Sequence, residues 1–150
     1  MRILLTGASS FTGYWFVREL VAAGHNIVTA FRSDGHHEGV RAERTRLVRG
    51  LCETRFGCAF GSDAFLDIVR GSGGFDVLCH HGAEVGDYRN PDFDPYRAAA
   101  LNLHRLPDVL RTLKERGCGR LVFTGSIFEP DEGTEPSRGA PSAPMGCPRA

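Results

Sequence analysis

The most informative absences in this 150-residue sequence are those of net charge and of long apolar runs. Eighteen basic residues balance 18 acidic ones, so the chain lacks the basic surface field that binds nucleic acid or an acidic membrane. No apolar run approaches the roughly 20 residues that cross a bilayer, and Met1-Arg2 precedes an apolar run too short for a signal peptide. These absences predict a cytoplasmic protein that binds neither nucleic acid nor membranes.

The cysteines lack a recognisable spacing. Five are present, an odd number without a C-x-x-C pair, which is typical neither of a disulfide framework nor of a zinc site. Cys79, His80 and His81 are consecutive, and on a strand their side chains would alternate between faces, so they cannot converge on one ion. We therefore expect reduced thiols and no metal.

Glycine, by contrast, is abundant, and proline is concentrated at one end. The 19 glycines fall between short apolar runs, as strand-to-helix turns require. Five of the eight prolines lie after residue 129, where apolar periodicity also ends. The sequence predicts an ordered domain over residues 1–128 and a disordered, Pro/Gly-rich tail over residues 129–150.

Apolar runs and helical periodicity alternate through the first of these two regions. Strands are predicted over residues 3–5, 27–31, 46–49, 75–79 and 120–124. Helices are predicted over residues 11–23, 64–69 and 96–116, the last kinked or divided by Pro107. Strands separated by helices, without hairpin turns, indicate a parallel sheet with right-handed crossovers. We therefore predict an α/β, doubly wound domain of about five strands.

A glycine turn links the first strand to the first helix, over residues 6–13 (TGASSFTG). Gly7 would let the chain turn out of the strand, and Gly13 would let the helix pack close to the sheet. The amides at the start of that helix would then face an anion, with the helix dipole behind them. The sequence predicts a dinucleotide diphosphate here; the alternative is an ordinary turn in a phosphate-free, flavodoxin-like domain.

The pattern T-G-x-x-[GS]-x-x-G after an N-terminal strand resembles the extended short-chain dehydrogenase/reductases, the NAD-dependent epimerase/dehydratase family. The resemblance covers about 128 residues and implies a Rossmann-like sheet that is incomplete relative to the family. It implies cofactor binding by Gly7, Ser9, Ser10, Phe11 and Gly13. Ser10 departs from the family's glycine, but its hydroxyl can itself donate to a phosphate oxygen, so we expect modified binding.

Three further segments carry the resemblance. Residues 76–83 (DVLCHHGA) resemble the fourth strand and the turn covering the cofactor ribose, which implies cofactor contacts from His81, Gly82 and Ala83. Asn102 looks like the helix-four asparagine that supports the active site. Residues 121–126 (LVFTGS) resemble the fifth strand, ending in the catalytic serine, Ser126. Its place after a strand also favours function, because ligands of open α/β sheets bind at the carboxyl ends of strands.

The end of the second strand bears on the choice of nicotinamide cofactor. An acidic residue there would accept from the ribose 2′-hydroxyl of NAD, whereas this chain has Arg32 and Ser33. A guanidinium and a hydroxyl suit a 2′-phosphate, so NADP is favoured. Asp34 keeps NAD open. Residues 50–52 (GLC) stand where the family has an aspartate after its third strand, which leaves an adenine contact in doubt.

The family's catalytic pair is missing. The resemblance implies a tyrosine base whose pKa is lowered by a lysine four residues later. This chain has Tyr14, Tyr88 and Tyr96, all before Ser126, and its one lysine is Lys114. No Tyr-x-x-x-Lys motif is therefore present in these 150 residues.

The composition of the tail suggests a frameshift. Residues 143–150, back-translated with a permissive choice of codons and read one base earlier, give Ser-Pro-Tyr-Gly-Leu-Ser-Lys-Gly. Tyrosine then replaces Met145 and lysine replaces Arg149. On this hypothesis the fifth strand becomes an open edge with exposed apolar side chains; the coding DNA tests it.

The resemblance implies an NAD(P)-binding domain of an epimerase, dehydratase or reductase. Its substrate would be a nucleotide sugar or a small hydroxyl or carbonyl compound, with little turnover by this chain. Helices of such proteins often pair into a homodimer. Two alternatives stay open: a noncatalytic NADP-binding sensor or regulatory protein, and an inert gene fragment.

Overall fold

The computed structural model of the chain describes residues 1–71, 73–86 and 90–125. Apolar runs form its strands, and amphipathic segments between them form its helices. In chain order the elements are β1 (Arg2–Thr6), α1 (Phe11–Ala22), β2 (Asn26–Ala30), α2 (Gly39–Leu51), β3 (Glu53–Arg55), α3 (Asp63–Arg70), β4 (Val77–His80), α4 (Pro95–Asn102), α5 (Leu106–Glu115) and β5 (Arg120–Phe123).

The five strands form one parallel sheet in the order β3-β2-β1-β4-β5. The chain first builds outward from β1 through β2 to β3, and then crosses back to place β4 on the other side of β1. The strand order therefore reverses between β1 and β4, where Thr6 is the register partner of His80. In open α/β sheets a crevice forms at the carboxyl ends of the strands at such a switch point, and ligands bind there.

Helices cover both faces of the sheet, which confirms the doubly wound prediction. Alternate residues of β1 point to opposite sides: Leu4 packs towards α3 and α5, whereas Ile3 and Leu5 pack towards α1 and α2. Both clusters are fully apolar at their centres, where Phe65 on one side and Val17 on the other have no exposed surface. Burial on both faces explains why the strands read as continuous apolar runs.

The strand predicted over residues 46–49 is wrong, because these residues lie inside α2. The pair Leu47-Val48 suggested a short buried strand, but a helical period places only Thr45 and Val48 against the sheet and leaves Arg46 and Arg49 in solvent. The third strand is Glu53–Arg55. Residues 50–52 therefore close a helix rather than a strand, and the comparison made there with the family's aspartate does not hold.

The predicted helix over residues 96–116 is divided, as the sequence predicted for Pro107. Pro107 lies in the first turn of α5, where a missing N–H costs no hydrogen bond. The residue before α5 is Arg105, which has a left-handed backbone with φ of 49°. Its guanidinium donates to Asp63 at 2.7 Å and to Asp108 at 3.1 Å.

Arg105 allows a test of this backbone strain. We expect Arg105→Gly to melt about 5 °C above Arg105→Ala, because both lose the ion pairs but only glycine adopts a left-handed conformation without a steric penalty. The matched control is Arg111, inside α5, where alanine should be more stable than glycine. Thermal unfolding of the four variants measures the difference, and the same rank order at both positions would contradict the assignment.

β5 lies at one edge of the sheet and pairs with β4. Its apolar side chains are about half exposed: Leu121 by 42%, Val122 by 44% and Phe123 by 51%. The frameshift hypothesis implies an open apolar edge at this strand, and that hypothesis stays a prediction that the coding DNA tests. Within the described ranges, none of the helices combines the length and apolar character needed to span a membrane.

Candidate functional site

The turn between β1 and α1 has the close backbone approach that the glycines predict. Gly7 has a φ of +83°, and a Cβ on Gly13 would lie 2.1 Å from the Gly7 carbonyl oxygen. Only glycine fits at either position. The amides of Phe11 and Thr12 in the first turn of α1 have no hydrogen-bond partner among the described residues. They are available to an anion at the mouth of the crevice.

Ser10 caps α1 instead of pointing freely into the crevice. Its Oγ accepts from the Gly13 N–H at 2.9 Å, which satisfies one of the unpaired donors at the helix start. The same Oγ lies 3.1 Å from Nε2 of His81, across the crevice. The small polar side chain at the position where the family has glycine is therefore used twice.

The loop after β4 lies directly against the loop after β1. The Gly82 N–H donates to Thr6 Oγ1 at 3.0 Å, and a Cβ on Gly7 would meet the Gly82 nitrogen at 2.6 Å. Next to them, Ala83 is exposed at the surface of the crevice. The structure thus brings the two predicted cofactor loops together at the switch point.

His80, the last residue of β4, connects these loops to α4. It is 3% exposed; its Nε2 donates to the Asn102 carbonyl at 3.3 Å and its Nδ1 accepts from the Thr6 hydroxyl at 2.8 Å. Its ring stacks on Phe60, with 4.0 Å between centroids. Burial is the main cause of a pKa below the usual histidine value. His80 is therefore a packed, neutral residue, whereas His81 is half-buried.

Asn102 holds the loop after β4 from the end of α4. Its Nδ2 donates to the Glu84 carbonyl at 3.2 Å, and its Oδ1 accepts from the Glu84 N–H. The side-chain amide therefore pairs with both backbone groups of one residue. Asn102 therefore fixes the position of the loop after β4; its support of an active site stays a prediction.

Basic side chains gather beyond the end of β2. Arg32 forms an ion pair with Glu84, and hydrogen bonding from Arg32 is the main cause that lowers the pKa of Glu84. Ser33 Oγ lies 3.1 Å from His37 Nε2. Burial, followed by the charge of Arg41, lowers the pKa of His37. Arg32 and Arg41 thus act on the Glu84 carboxylate, while Ser33 and His37 pair with each other beside them.

A further arginine reaches the phosphate loop from α2. The Arg44 Nε donates to the carbonyl of Ser9 at 2.9 Å, which places a positive charge beside the loop. Sequence reasoning missed Arg41 and Arg44 because it did not recognise α2, and it set His37 aside as part of a surface turn. The signal was present in the spacing of Arg41 and Arg44, which on a helix lie three residues apart on one face.

Phe11 contributes only its backbone, and several predicted residues lie outside the described ranges. Phe11 is 67% exposed at the start of α1, so it offers a backbone amide rather than a packed side chain. Ser126, the predicted catalytic serine, lies outside the described residues, as do Tyr88, Met145 and Arg149. Within the described ranges no group of three or more potential metal-binding side chains comes together.

The arrangement suits a dinucleotide. Two glycine positions bring backbone close to backbone, unpaired amides face the crevice, and the charged cluster lies at the neighbouring strand end. A diphosphate fits the first part electrostatically, because amide donors and a helix N-terminus favour negative charge. An adenosine ribose would then lie towards Arg32 and Ser33, the residues that follow β2 in the order expected for this fold.

Similar proteins are known. The chain is 28% identical over 140 residues to a 2-alkyl-3-oxoalkanoate reductase of Stenotrophomonas maltophilia (strain K279a), covering 93% of this chain and 37% of that protein. The fold of this chain is similar to that of UDP-glucose 4-epimerase from Bifidobacterium longum, whose structure contains NAD+ and UDP. The TM-score is 0.67 at 18% identity, and the match covers 90% of this chain and 40% of that one.

A third match is the yeast methylglyoxal/isovaleraldehyde reductase complexed with NADPH, with a TM-score of 0.60, 17% identity and coverage of 85% of this chain and 37% of that one. The chain thus spans well under half the length of these relatives. Residues 3–147 match the NAD dependent epimerase/dehydratase family, and the chain belongs to that family.

Proposed function

We propose that residues 1–128 form a nicotinamide dinucleotide-binding domain, with the cofactor diphosphate at the loop from Gly7 to Gly13. The observation that carries the proposal is the pair of loops in contact at the switch point, one of which offers the unpaired amides of Phe11 and Thr12. The Arg44 guanidinium beside Ser9 adds positive charge where the diphosphate would lie. Solved relatives were crystallised with NAD+ or NADPH, which agrees with a nicotinamide cofactor.

The preferred cofactor in this proposal is NADP. Arg32 and Arg41 supply charge, and Ser33 and His37 supply hydrogen-bonding groups, around the position where a 2′-phosphate would lie. Arginine suits a phosphate because its planar fork donates two hydrogen bonds. Glu84 competes for Arg32 in the structure, so the 2′-phosphate would take over the guanidinium from this carboxylate.

The bound cofactor supplies hydride transfer, and the chain binds and orients it. We propose that the whole protein acts on a nucleotide sugar or on a small hydroxyl or carbonyl compound, the substrate classes named for its relatives. Asn102 would hold the loop after β4 against the cofactor, and Ser126 would orient the substrate oxygen. The 150-residue chain by itself would turn over little, since no tyrosine follows Tyr96.

The lack of a tyrosine after Tyr96 in these 150 residues supports a second candidate, a noncatalytic NADP-binding regulatory protein. Both candidates require the cofactor site, and they differ in the turnover of the whole protein. An assay of carbonyl reduction with NADPH by the whole protein separates them once binding has been measured.

Titration with NADPH and NADH tests the proposal. We expect the chain to bind NADPH more tightly, and Arg32→Ala to weaken NADPH binding about tenfold with little effect on NADH, because one charge-assisted contact to phosphate is lost. Nucleotide fluorescence gives the dissociation constants. Arg46→Ala is the matched control, because Arg46 is an exposed α2 arginine paired with Glu43. A folded chain that binds neither nucleotide would refute the proposed function.

A further inference from the structure

His81 joins two parts of the crevice that are distant in sequence. Its Nε2 lies 3.1 Å from the Oγ of Ser10 on the phosphate loop, and its Nδ1 lies 3.0 Å from the Oγ1 of Thr124 after β5. The ring packs edge-on against Phe16 of α1, with 5.0 Å between centroids. The imidazole is therefore fixed in orientation, and each of its nitrogens has one hydroxyl partner.

The proton position on this ring controls the Ser10 hydroxyl. Ser10 Oγ accepts a hydrogen bond from the Gly13 N–H. The hydroxyl carries a single proton, so it can donate to only one partner at a time. With the ring proton on Nδ1, Nε2 accepts a hydrogen bond from the Ser10 hydroxyl. With a proton on Nε2, the ring donates to Ser10, and the Ser10 proton is free to point at another acceptor.

We propose that His81 is a positioning residue of the dinucleotide site, which acts through Ser10 and decides whether the Ser10 hydroxyl can donate to the cofactor diphosphate. The inference rests on the proposed function, because it needs a diphosphate at the phosphate loop. The bound anion favours the forms of His81 with a proton on Nε2, namely one neutral tautomer and the imidazolium. The imidazolium also places a positive charge near the diphosphate.

Binding and protonation are then linked. Burial lowers the pKa of His81, so the free ring is neutral at pH 7. A diphosphate raises that pKa, and affinity therefore increases as the pH falls through the pKa of the complex, and levels off below the pKa of the free protein. Around the ring lie Phe16 of α1, the cap residue Ser10 and, after β5, Thr124. In the part of the chain that the structure describes, the titratable group that acts on His81 is its neighbour His80, whose pKa is also lowered by burial.

NADH is the probe that tests this link, because it lacks the titrating 2′-phosphate of NADPH. We expect the dissociation constant for NADH to fall about tenfold between about pH 8 and about pH 5.5. His81→Gln removes the titration but keeps a donor and an acceptor, so it should abolish the pH dependence. Ser10→Ala removes the hydroxyl that transmits part of this effect, so it should reduce the pH dependence and leave only the part that comes from the charge of the imidazolium.

His25→Gln is the matched control, because His25 precedes β2 at the opposite end of the sheet; it should keep the wild-type pH dependence. Thermal unfolding at both pH values identifies any variant that does not fold. If a variant does not fold, the 15N spectrum of the His81 ring in the wild-type protein provides a test that needs no variant. Saturation with NADH should move the Nε2 signal to the position of a protonated nitrogen.

The outcomes separate the two proposals. A wild-type chain that binds neither NADH nor NADPH refutes the proposed function. A chain that binds NADH with a pH dependence that His81→Gln does not abolish, or that Ser10→Ala leaves unchanged, keeps the function and overturns the role of His81. An Nε2 signal unchanged by NADH overturns it as well.

Discussion

Replacing Gly13 with alanine is expected to weaken NADPH binding about a hundredfold. The added Cβ would lie 2.1 Å from the Gly7 carbonyl oxygen and 2.9 Å from Ser10 Oγ, so the start of α1 must move away from the turn. The amides of Phe11 and Thr12 would then no longer converge on the diphosphate. Loss of two such contacts to a charged group, at about 1.5 kcal/mol or more each, corresponds to this factor. Nucleotide fluorescence titration measures it.

The control for this variant is Gly50→Ala. Gly50 also lies in a helix, but a Cβ there meets no atom within 4 Å. Alanine is the better helix former by about 1 kcal/mol, so this variant should bind NADPH normally and be at least as stable as the wild type. Normal NADPH binding and stability in Gly13→Ala would show that the diphosphate does not lie on this loop.

Replacing Phe65 with alanine is expected to lower the free energy of unfolding by about 3–5 kcal/mol. Phe65 is fully buried between α3 and the sheet and packs on Phe60, with 5.1 Å between ring centroids. Its removal leaves a cavity that rigid strands cannot collapse to fill. Since small domains are stable by about 5–15 kcal/mol, this change alone is a large fraction of the total. Urea denaturation measures it.

Phe11→Ala is the matched control for stability. Phe11 also occupies the first turn of a helix, but it is 67% exposed, so its truncation should change the free energy of unfolding by less than about 1 kcal/mol. Equal losses for the two variants would contradict the assignment of the core.

Much of the first half of the fold was predictable because its signals are local. The run Ile3-Leu4-Leu5 and the glycines at 7 and 13 define strand, turn and helix within one short segment. The division at Pro107 was equally predictable, because proline restricts the backbone wherever it occurs. In both cases a few adjacent residues specify the local conformation.

α2 and its arginines were not predictable in the same way. Leu47 and Val48 fit a short strand as well as one side of a helix, and a run of that length does not distinguish the two. The packing of Thr45 and Val48 against the sheet selects the helix. Once α2 is a helix, Arg41 and Arg44 face the site, and without it they have no evident role.

The sequence alone determined that β1 enters a glycine turn and a helix, that the sheet is parallel, and that Arg32 and Ser33 follow β2. These features were predictable because backbone preferences and the spacing of apolar residues depend on only a few neighbouring residues. The tertiary structure alone decided which distant groups meet: His81 with Ser10, Asn102 with Glu84, and Arg44 with Ser9. These contacts join residues 18 to 71 positions apart, and only the strand order that places β4 beside β1 brings the loops together.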